Sequence, residues 1–479
     1  MKKIFLIYIL FAVFSTVFTS NSSAEGLTSA SNTIELVQEH STGGHHVLPN
    51  PIMVLPFVIL LLMIATGPLF YHHFWEHHYP KVAILLGAVT SSYYLFYLHD
   101  SISLLHTMAE YLSFIALLAS LFVASGGIYI KIARKSTPML NTLILLLGAV
   151  IANIIGTTGA SMLLIRPFMK INQNRIKPYH IIFFIFSVSN IGGALTPIGD
   201  PPLFLGFLRG VDFFWFITNI WYIWLPTILL LLTIFYIVDM RNKEESEANK
   251  DYSGKITIKG TKNFIYLAII LISVFIDPAV ISWVPSLSPL PFGIREIIMF
   301  SVVYLSFKTA DQECLKANEF DFEPIREVAF LFVGIFATMI PALQLIGATA
   351  KEMGAQLNAG VFYWATGSLS AFLDNAPTYL NFLSAELGKF GMDVNSIPDV
   401  RAFSQGTVDP VTPLFLRSIS VAAVFFGAMT YIGNGPNFMV KAIAERAGVK
   451  MPSFFAYLIK YAIPILLPIF VLVWLIFFS

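Results

Sequence analysis

The chain has 479 residues, 56% of them hydrophobic and only 12% charged, about half the charged share of an ordinary soluble domain. Apolar runs recur from end to end at about 20 residues, the length a helix needs to cross roughly 30 Å of hydrocarbon. A water-soluble globule is excluded. A net charge of +1 in short scattered basic clusters excludes nucleic acid as a partner, and one cysteine, Cys314, excludes an internal disulfide framework.

The first residues carry Lys2-Lys3, an apolar core and a small-residue exit at Ser22-Ser23-Ala24, the layout of a secretory signal peptide over 1–24. Its removal would leave a periplasmic N-terminus, from which Lys and Arg counts in short loops orient each span. N-terminal transmembrane helices fall within 52–98, at 52–71 and 82–98. A third span, 104–130, ends at Lys131, Arg134 and Lys135, which places that end in the cytoplasm. Residues 137–166 run apolar, break at Asn153-Ile154-Ile155-Gly156-Thr157-Thr158-Gly159, run apolar again and end at Arg166, Lys170, Arg175 and Lys177. Both ends then carry cytoplasmic charge, which predicts a re-entrant hairpin whose broken backbone is buried in protein or faces a wet cavity; two short full spans are the alternative.

A span over 179–208 is interrupted by SNIGGALTPIGDPP (189–202), and 216–239 returns to the hydrophilic loop 241–262. Residues 240–325 hold cytoplasmic loops and linking helices, with spans near 263–285 and 291–307. A second set follows over 326–479: a span at 326–346, an apolar-break-apolar segment at 359–384 around Asp374-Asn375-Ala376-Pro377-Thr378, a span from 412 broken by AMTYIGNGPNF (428–438), and a last span at 454–478.

Residues 194–202 and 428–436 agree at Ala, Thr, Ile, Gly, Asp/Asn and the final Pro, at a constant offset of 234 residues. Asn153 and Asn375 are offset by 222, so 104–239 and 326–479 read as two copies of one unit. The first hairpin enters from the cytoplasm and the second from the periplasm. The expected fold is therefore all-α integral membrane, about 10 transmembrane helices plus two re-entrant hairpins in two inverted repeats, the pattern of alternating-access carriers.

Ionisable groups at membrane depth are costly and functional by default; Asp200 in the first break and Asp374 in the second hairpin are the two that stand out. Carboxylates in a partly dehydrated cavity can trade a proton for a cation. Sodium favours oxygen ligands, so Asp200 and Asp374 are the expected Na+ ligands. Asn153, Thr157, Thr158, Ser189, Asn190, Thr196, Asn375, Thr378, Thr430 and Asn434 supply neutral oxygens, some of them merely capping half-helices. His106 and Glu110 share a helix face at i, i+4. Arg295-Glu296, Arg326-Glu327, Asp277 and Arg417 are expected to pair near the interface. His40, His45 and His46 lie on the other side of the membrane from His72, His73, His77 and His78, which excludes a shared metal site. Pro197-Ile198-Gly199-Asp200 lacks the Gly-x-Gly-Asp element of intramembrane aspartyl proteases, so no enzyme is expected, and no resident cofactor.

Through SNIGGALTPIGDPP (189–202) and SAFLDNAPT (370–378) the chain resembles the ion transporter superfamily over roughly residues 100–479, most nearly its citrate-transporter-like and NhaD-type sodium:proton antiporter members. The resemblance implies a scaffold plus a mobile transport domain, elevator-type movement, homodimerisation and a bacterial inner-membrane location. Carboxylate carriers of this superfamily resemble one another in Ser-Asn-Thr sodium motifs, where this chain reads Ser189-Asn190-Ile191 and Gly433-Asn434-Gly435. With one Asp in each half, the expected activity is exchange of Na+ or Li+ for H+. Ion-coupled transport of citrate, a dicarboxylate or arsenite is the alternative, since Pro201-Pro202 resembles the arsenite-pump version.

Overall fold

The computed structural model describes residues 48–173, 175–242, 255–278, 281, 283–287, 290–353 and 357–479; the expected signal peptide and His40, His45 and His46 lie outside them. In chain order the helices are α1 (Leu55–Phe70), α2 (His72–Ser92), α3 (Ser101–Gly126), α4 (Pro138–Ile171), α5 (Pro178–Ser187), α6 (Pro201–Arg209), α7 (Trp215–Met240), α8 (Lys262–Ser273), α9 (Ile294–Thr309) and α10 (Gln312–Ala317). They continue with α11 (Glu323–Met353), α12 (Ala359–Phe372), α13 (Asn375–Lys389), α14 (Ile397–Gln405), α15 (Thr412–Phe426), α16 (Gly435–Arg446), α17 (Phe454–Tyr457) and α18 (Ile463–Phe477).

Among the described residues seven helices are long and apolar enough to cross a membrane, and shorter apolar helices lie at Pro51–Gly67 and Lys262–Ser273. The chain is an all-α integral membrane protein with one small addition. Where basic loops were expected, β1 (Tyr129–Ile132) pairs antiparallel with β2 (Ile256–Lys259), Tyr129 opposite Lys259, tying the end of α3 to the start of α8. Cys314 lies buried in the short helix α10 rather than in a loop.

Two helical stretches of α4 meet at Gly156, which sits at φ 78°, ψ 155°, a conformation that only glycine adopts without strain. The chain reverses there. Asn141 Nδ2 donates to Asn172 Oδ1 at 2.9 Å, although 31 residues of straight helix would separate them by about 46 Å, and Leu164 stands against Gly148. Segment 138–171 is therefore a hairpin and not two spans. The second hairpin is α12 and α13, joined at Leu373-Asp374, with the Phe362 and Phe382 rings 6.3 Å apart across its arms.

Each hairpin is followed by a broken span. The first, α5–α6, starts at the base of hairpin 1, where His180 Nε2 lies 3.0 Å from Asp239 Oδ1 and Asn141 Nδ2 donates to Asp239 Oδ2. It ends at Arg209, which donates to Asn395 beyond the end of α13. The second, α15–α16, starts near the base of hairpin 2, with the Phe415 and Phe390 rings 5.4 Å apart. It runs to Met439 and Ile443, which pack on the cluster holding Met162 of hairpin 1. The two broken spans are thus antiparallel and the hairpins enter from opposite ends, which is the inverted arrangement.

Glycine makes the breaks compact. A Cβ on Gly199 would land on the Gly193 carbonyl oxygen, and one on Gly433 would meet the Gly427 carbonyl oxygen at 2.6 Å; each pair is related by the same offset of 234 residues. Nothing lies near a Cβ on Gly435. Gly199→Ala is therefore expected to destabilise the detergent-solubilised protein by about 1–3 kcal/mol, the cost of overpacking, and Gly435→Ala to leave it unchanged. Equal thermal midpoints for both variants would contradict this packing.

Candidate functional site

The two breaks are built by the same hydrogen bonds. Thr196 Oγ1 donates to the Asn153 carbonyl and accepts from Gly199 N at 3.1 Å; Thr430 Oγ1 donates to the Ala371 carbonyl and accepts from Gly433 N at 3.1 Å. Both hydroxyls are spent on clamping a hairpin to a broken span. The tip of hairpin 1 docks through Thr157 N, which donates to the Gly199 carbonyl at 2.8 Å. Asn153 is also structural, its Nδ2 donating to the Gly192 carbonyl at 2.7 Å and its Oδ1 accepting from Leu195 N at 2.8 Å.

Asp200 occupies the N-cap position of α6, where a carboxylate ordinarily accepts from the N–H of the second or third helical residue. Here the first two helical residues are Pro201 and Pro202, which have no N–H to offer, and the third, Leu203, gives its N–H to the Asp200 carbonyl. The Asp200 carboxylate makes no cap and turns into the protein. Its Oδ1 accepts from Thr157 Oγ1 and Asn434 Nδ2, both at 2.9 Å, and its Oδ2 accepts from Asn375 Nδ2 at 2.5 Å. One carboxylate thus gathers the tip of hairpin 1, the tip of hairpin 2 and the second break.

Asp374 directly precedes Asn375, is half-buried, and caps α13 by accepting from Ala376 N at 3.0 Å. Thr378 is not aimed at the site: its hydroxyl back-bonds to the Asp374 carbonyl at 2.9 Å. Ser189 borders the site through its carbonyl, which accepts from Asn434 Nδ2 at 3.2 Å, while its hydroxyl meets Ser161 at 2.8 Å. Asn190 bonds Asn437 Oδ1 at 2.6 Å, and Asn437 in turn donates to the Gly427 and Thr430 carbonyls. Thr158 lines a small cleft with Ile198, Gly199 and Pro201 beside the first tip. Of the twelve residues expected at the site, Asp200, Thr157, Asn375 and Asn434 are in direct contact with one another through the carboxylate; Asp374 and Ser189 adjoin them.

Four half-helices begin at this point: the second arm of hairpin 1 after Gly156, α6, α13 and α16. Helix N-termini carry free N–H groups and a partial positive charge, which here supports the Asp200 carboxylate without supplying a full counter-charge. The other buried acids are treated differently. Glu110 binds Arg209, Asp239 binds Arg175 at 2.9 Å and Tyr179 Oη at 2.6 Å, and Glu296 binds Arg295 at 2.7 Å. Arg295 also reaches Asp277 at 2.9 Å. Each of these three is a charge balanced by an arginine, whereas Asp200 is held by neutral groups alone and Glu386, also buried, has no hydrogen-bond partner at either oxygen.

These arginine pairs bear on the charges singled out in the sequence. His106 Nδ1 lies 3.7 Å from Glu110 Oε1, but Arg209 is the nearer partner. Arg417 stacks over the Tyr222 ring and donates to Asn219. The Asp239 network is not recognisable in the sequence because its partners Asn141, Arg175, Tyr179 and His180 are far along the chain, and Asn437 because it meets Asn190 on the other repeat; the one available signal is that Asp239 and Arg175 are charges at the ends of apolar runs. Removing one member of a buried pair strands the other charge, at a cost of about 3–5 kcal/mol. Arg175→Ala should lower the thermal midpoint of the purified protein strongly, more than Arg326→Ala at its exposed pair with Glu323; the reverse order would contradict the buried network.

A family model described as "Putative citrate transport" matches residues 46–478. Two curated relatives, an uncharacterized transporter of Mycobacterium tuberculosis and one of Mycobacterium bovis, are each 24% identical over 409 residues, covering 80% of this chain and 87% of the relative. The match takes in both hairpins, both broken spans and the buried carboxylate between them. The chain belongs to this citrate-transporter-like family and is a membrane transporter.

Proposed function

We propose that the transporter exchanges Na+ or Li+ for H+ by alternating access, with Asp200 as the group that holds either ion and Asp374 as the second carboxylate at the site. The observation that carries this reading is a buried carboxylate with three neutral donors and no arginine or lysine partner among the described residues. A charge so placed is too costly to leave unbalanced; a proton or a cation balances it, and replacing one by the other is the exchange. Asn375 suits both states. Its Oδ1 is buried and without a partner, so the same amide, turned over, accepts from a protonated Asp200. Thr157, Asn434 and the Ser189 carbonyl supply further oxygen for a hard cation. A bacterial inner-membrane location and a homodimer belong to the same proposal and rest on the resemblance.

A second reading, ion-coupled transport of citrate or a related anion, is supported by the family description and by the four half-helix N-termini, whose field favours an anion. Asp200 in their midst disfavours it, since a polyanion would meet a like charge.

Everted vesicles separate the two. Added Na+ or Li+ should collapse an imposed acid gradient, and Asp200→Asn and Asp374→Asn should each abolish that response while still inserting into the membrane. Vesicles that ignore the cations but accumulate labelled citrate under a sodium gradient would reject exchange and establish the anion carrier.

A further inference from the structure

We infer that Glu386, on the second arm of hairpin 2, is a proton-binding station in series with Asp200. This inference rests on the exchange reading above and adds to it the route by which the proton travels.

Glu386 is fully buried, and neither of its carboxyl oxygens has a hydrogen-bond partner. No other described carboxylate combines full burial with two unpartnered oxygens. Its helix, α13, packs against α6, α11, α12, α14 and α15. From α6 the charged group is Arg209, taken by Glu110 and Asn395. From α15 it is Arg417, over Tyr222. From α14, Asp399 accepts from Asp393 N and Arg401 is exposed, and the described charges of α11 lie in its first turns. On α13 itself Lys389 rests on the Phe390 and Phe415 rings. Among the described residues no cation is set against Glu386. A carboxylate there would have neither donor nor counter-ion, a burden of many kcal/mol; the group carries its proton.

Its position gives that proton a use. Residues 375, 379 and 386 fall on one face of α13 by helical periodicity. Asn375 touches Asp200. The Tyr379 hydroxyl, four residues on, is buried against Gly206 of α6 and has no hydrogen-bond partner. Glu386 is then one turn from Lys389 and the exposed turn at Gly391 that closes the arm. One helix face thus leads from the buried site to the aqueous end of hairpin 2. In the step proposed, Glu386 yields its proton toward Asp200 as the cation leaves and regains one from water at that end; one O–H bond is broken and one formed at each transfer, and one proton moves in total.

The test uses purified full-length protein in liposomes, with two assays on each variant: Na+-driven proton movement, and exchange of labelled against unlabelled Na+, which needs no proton. Glu386→Gln should slow the first by about a hundredfold, the low end of what a positioned proton-transfer group contributes, and leave the second intact. Glu386→Asp should recover part of the proton movement. Equal loss of both assays in both variants would mean a purely structural role and overturn the inference, as would unaltered rates. If the parent protein itself shows neither activity, it is the exchange reading that fails.

Discussion

Everything in the centre of this protein is arranged around the charge of one carboxylate. Asp200 accepts three hydrogen bonds, and the donors come from three different pieces of chain: Thr157 from the first hairpin, Asn375 from the second, Asn434 from the second break. In this arrangement the three donors suit a carboxylate; a carboxylic acid has a proton of its own to place, and the Asn375 amide would have to turn to accept it. A change of charge at Asp200 is therefore felt at once by both hairpin tips. In the proposed exchange such a site would couple occupancy to conformation without any long-range wire, because both hairpin tips are themselves hydrogen-bonded to the Asp200 carboxylate.

The local backbone explains why the carboxylate is available at all. An aspartate at a helix start ordinarily caps that helix, as Asp374 does through Oδ1, which accepts from Ala376 N. Pro202 removes the second helical N–H and the third, from Leu203, goes to the Asp200 carbonyl; at Asn434, Pro436 and Asn437 N repeat the arrangement, so Asn434 reaches Asp200 instead of capping α16. The glycines on either side of each break let two carbonyl-bearing turns approach where a methyl group would clash. Glycine and proline thus contribute to the chemistry indirectly: they free the polar side chains from the local tasks that would otherwise hold them.

Much of this was legible in the sequence, and the limit falls where local pattern stops. The breaks could be read because Gly and Pro interrupt apolar runs at matched positions, and the hairpin around Gly156 because basic residues flank both ends. Asp200 could be read because a charge inside such a run has few reasons to be there. The fates of the neutral oxygens could not. Thr196, Thr378, Thr430 and Asn153 are the same residue types as Thr157 and Asn434, yet they are spent on backbone, and which hydroxyl clamps a carbonyl is decided by the fold. Ion pairs are hidden for the same reason: Arg209 meets Glu110 across 99 residues. Glu386 passes for an ordinary charge in a polar stretch until its burial is seen.

The repeat also explains why the site is asymmetric. Asp200 and Asn434 are equivalent positions in the two halves, 234 residues apart, and they bond each other directly, so both stand where the two repeats meet. Two aspartates there would repel unless a proton sat between them, and two asparagines would leave no charge for the proposed exchange. One of each gives a carboxylate and its own donor, the only pairing of these two residue types that is both satisfied and titratable without a third group. Neither half contains the pair. The pair therefore exists only when the two repeats are packed together, and in the proposed exchange a relative motion of the repeats would act on it directly.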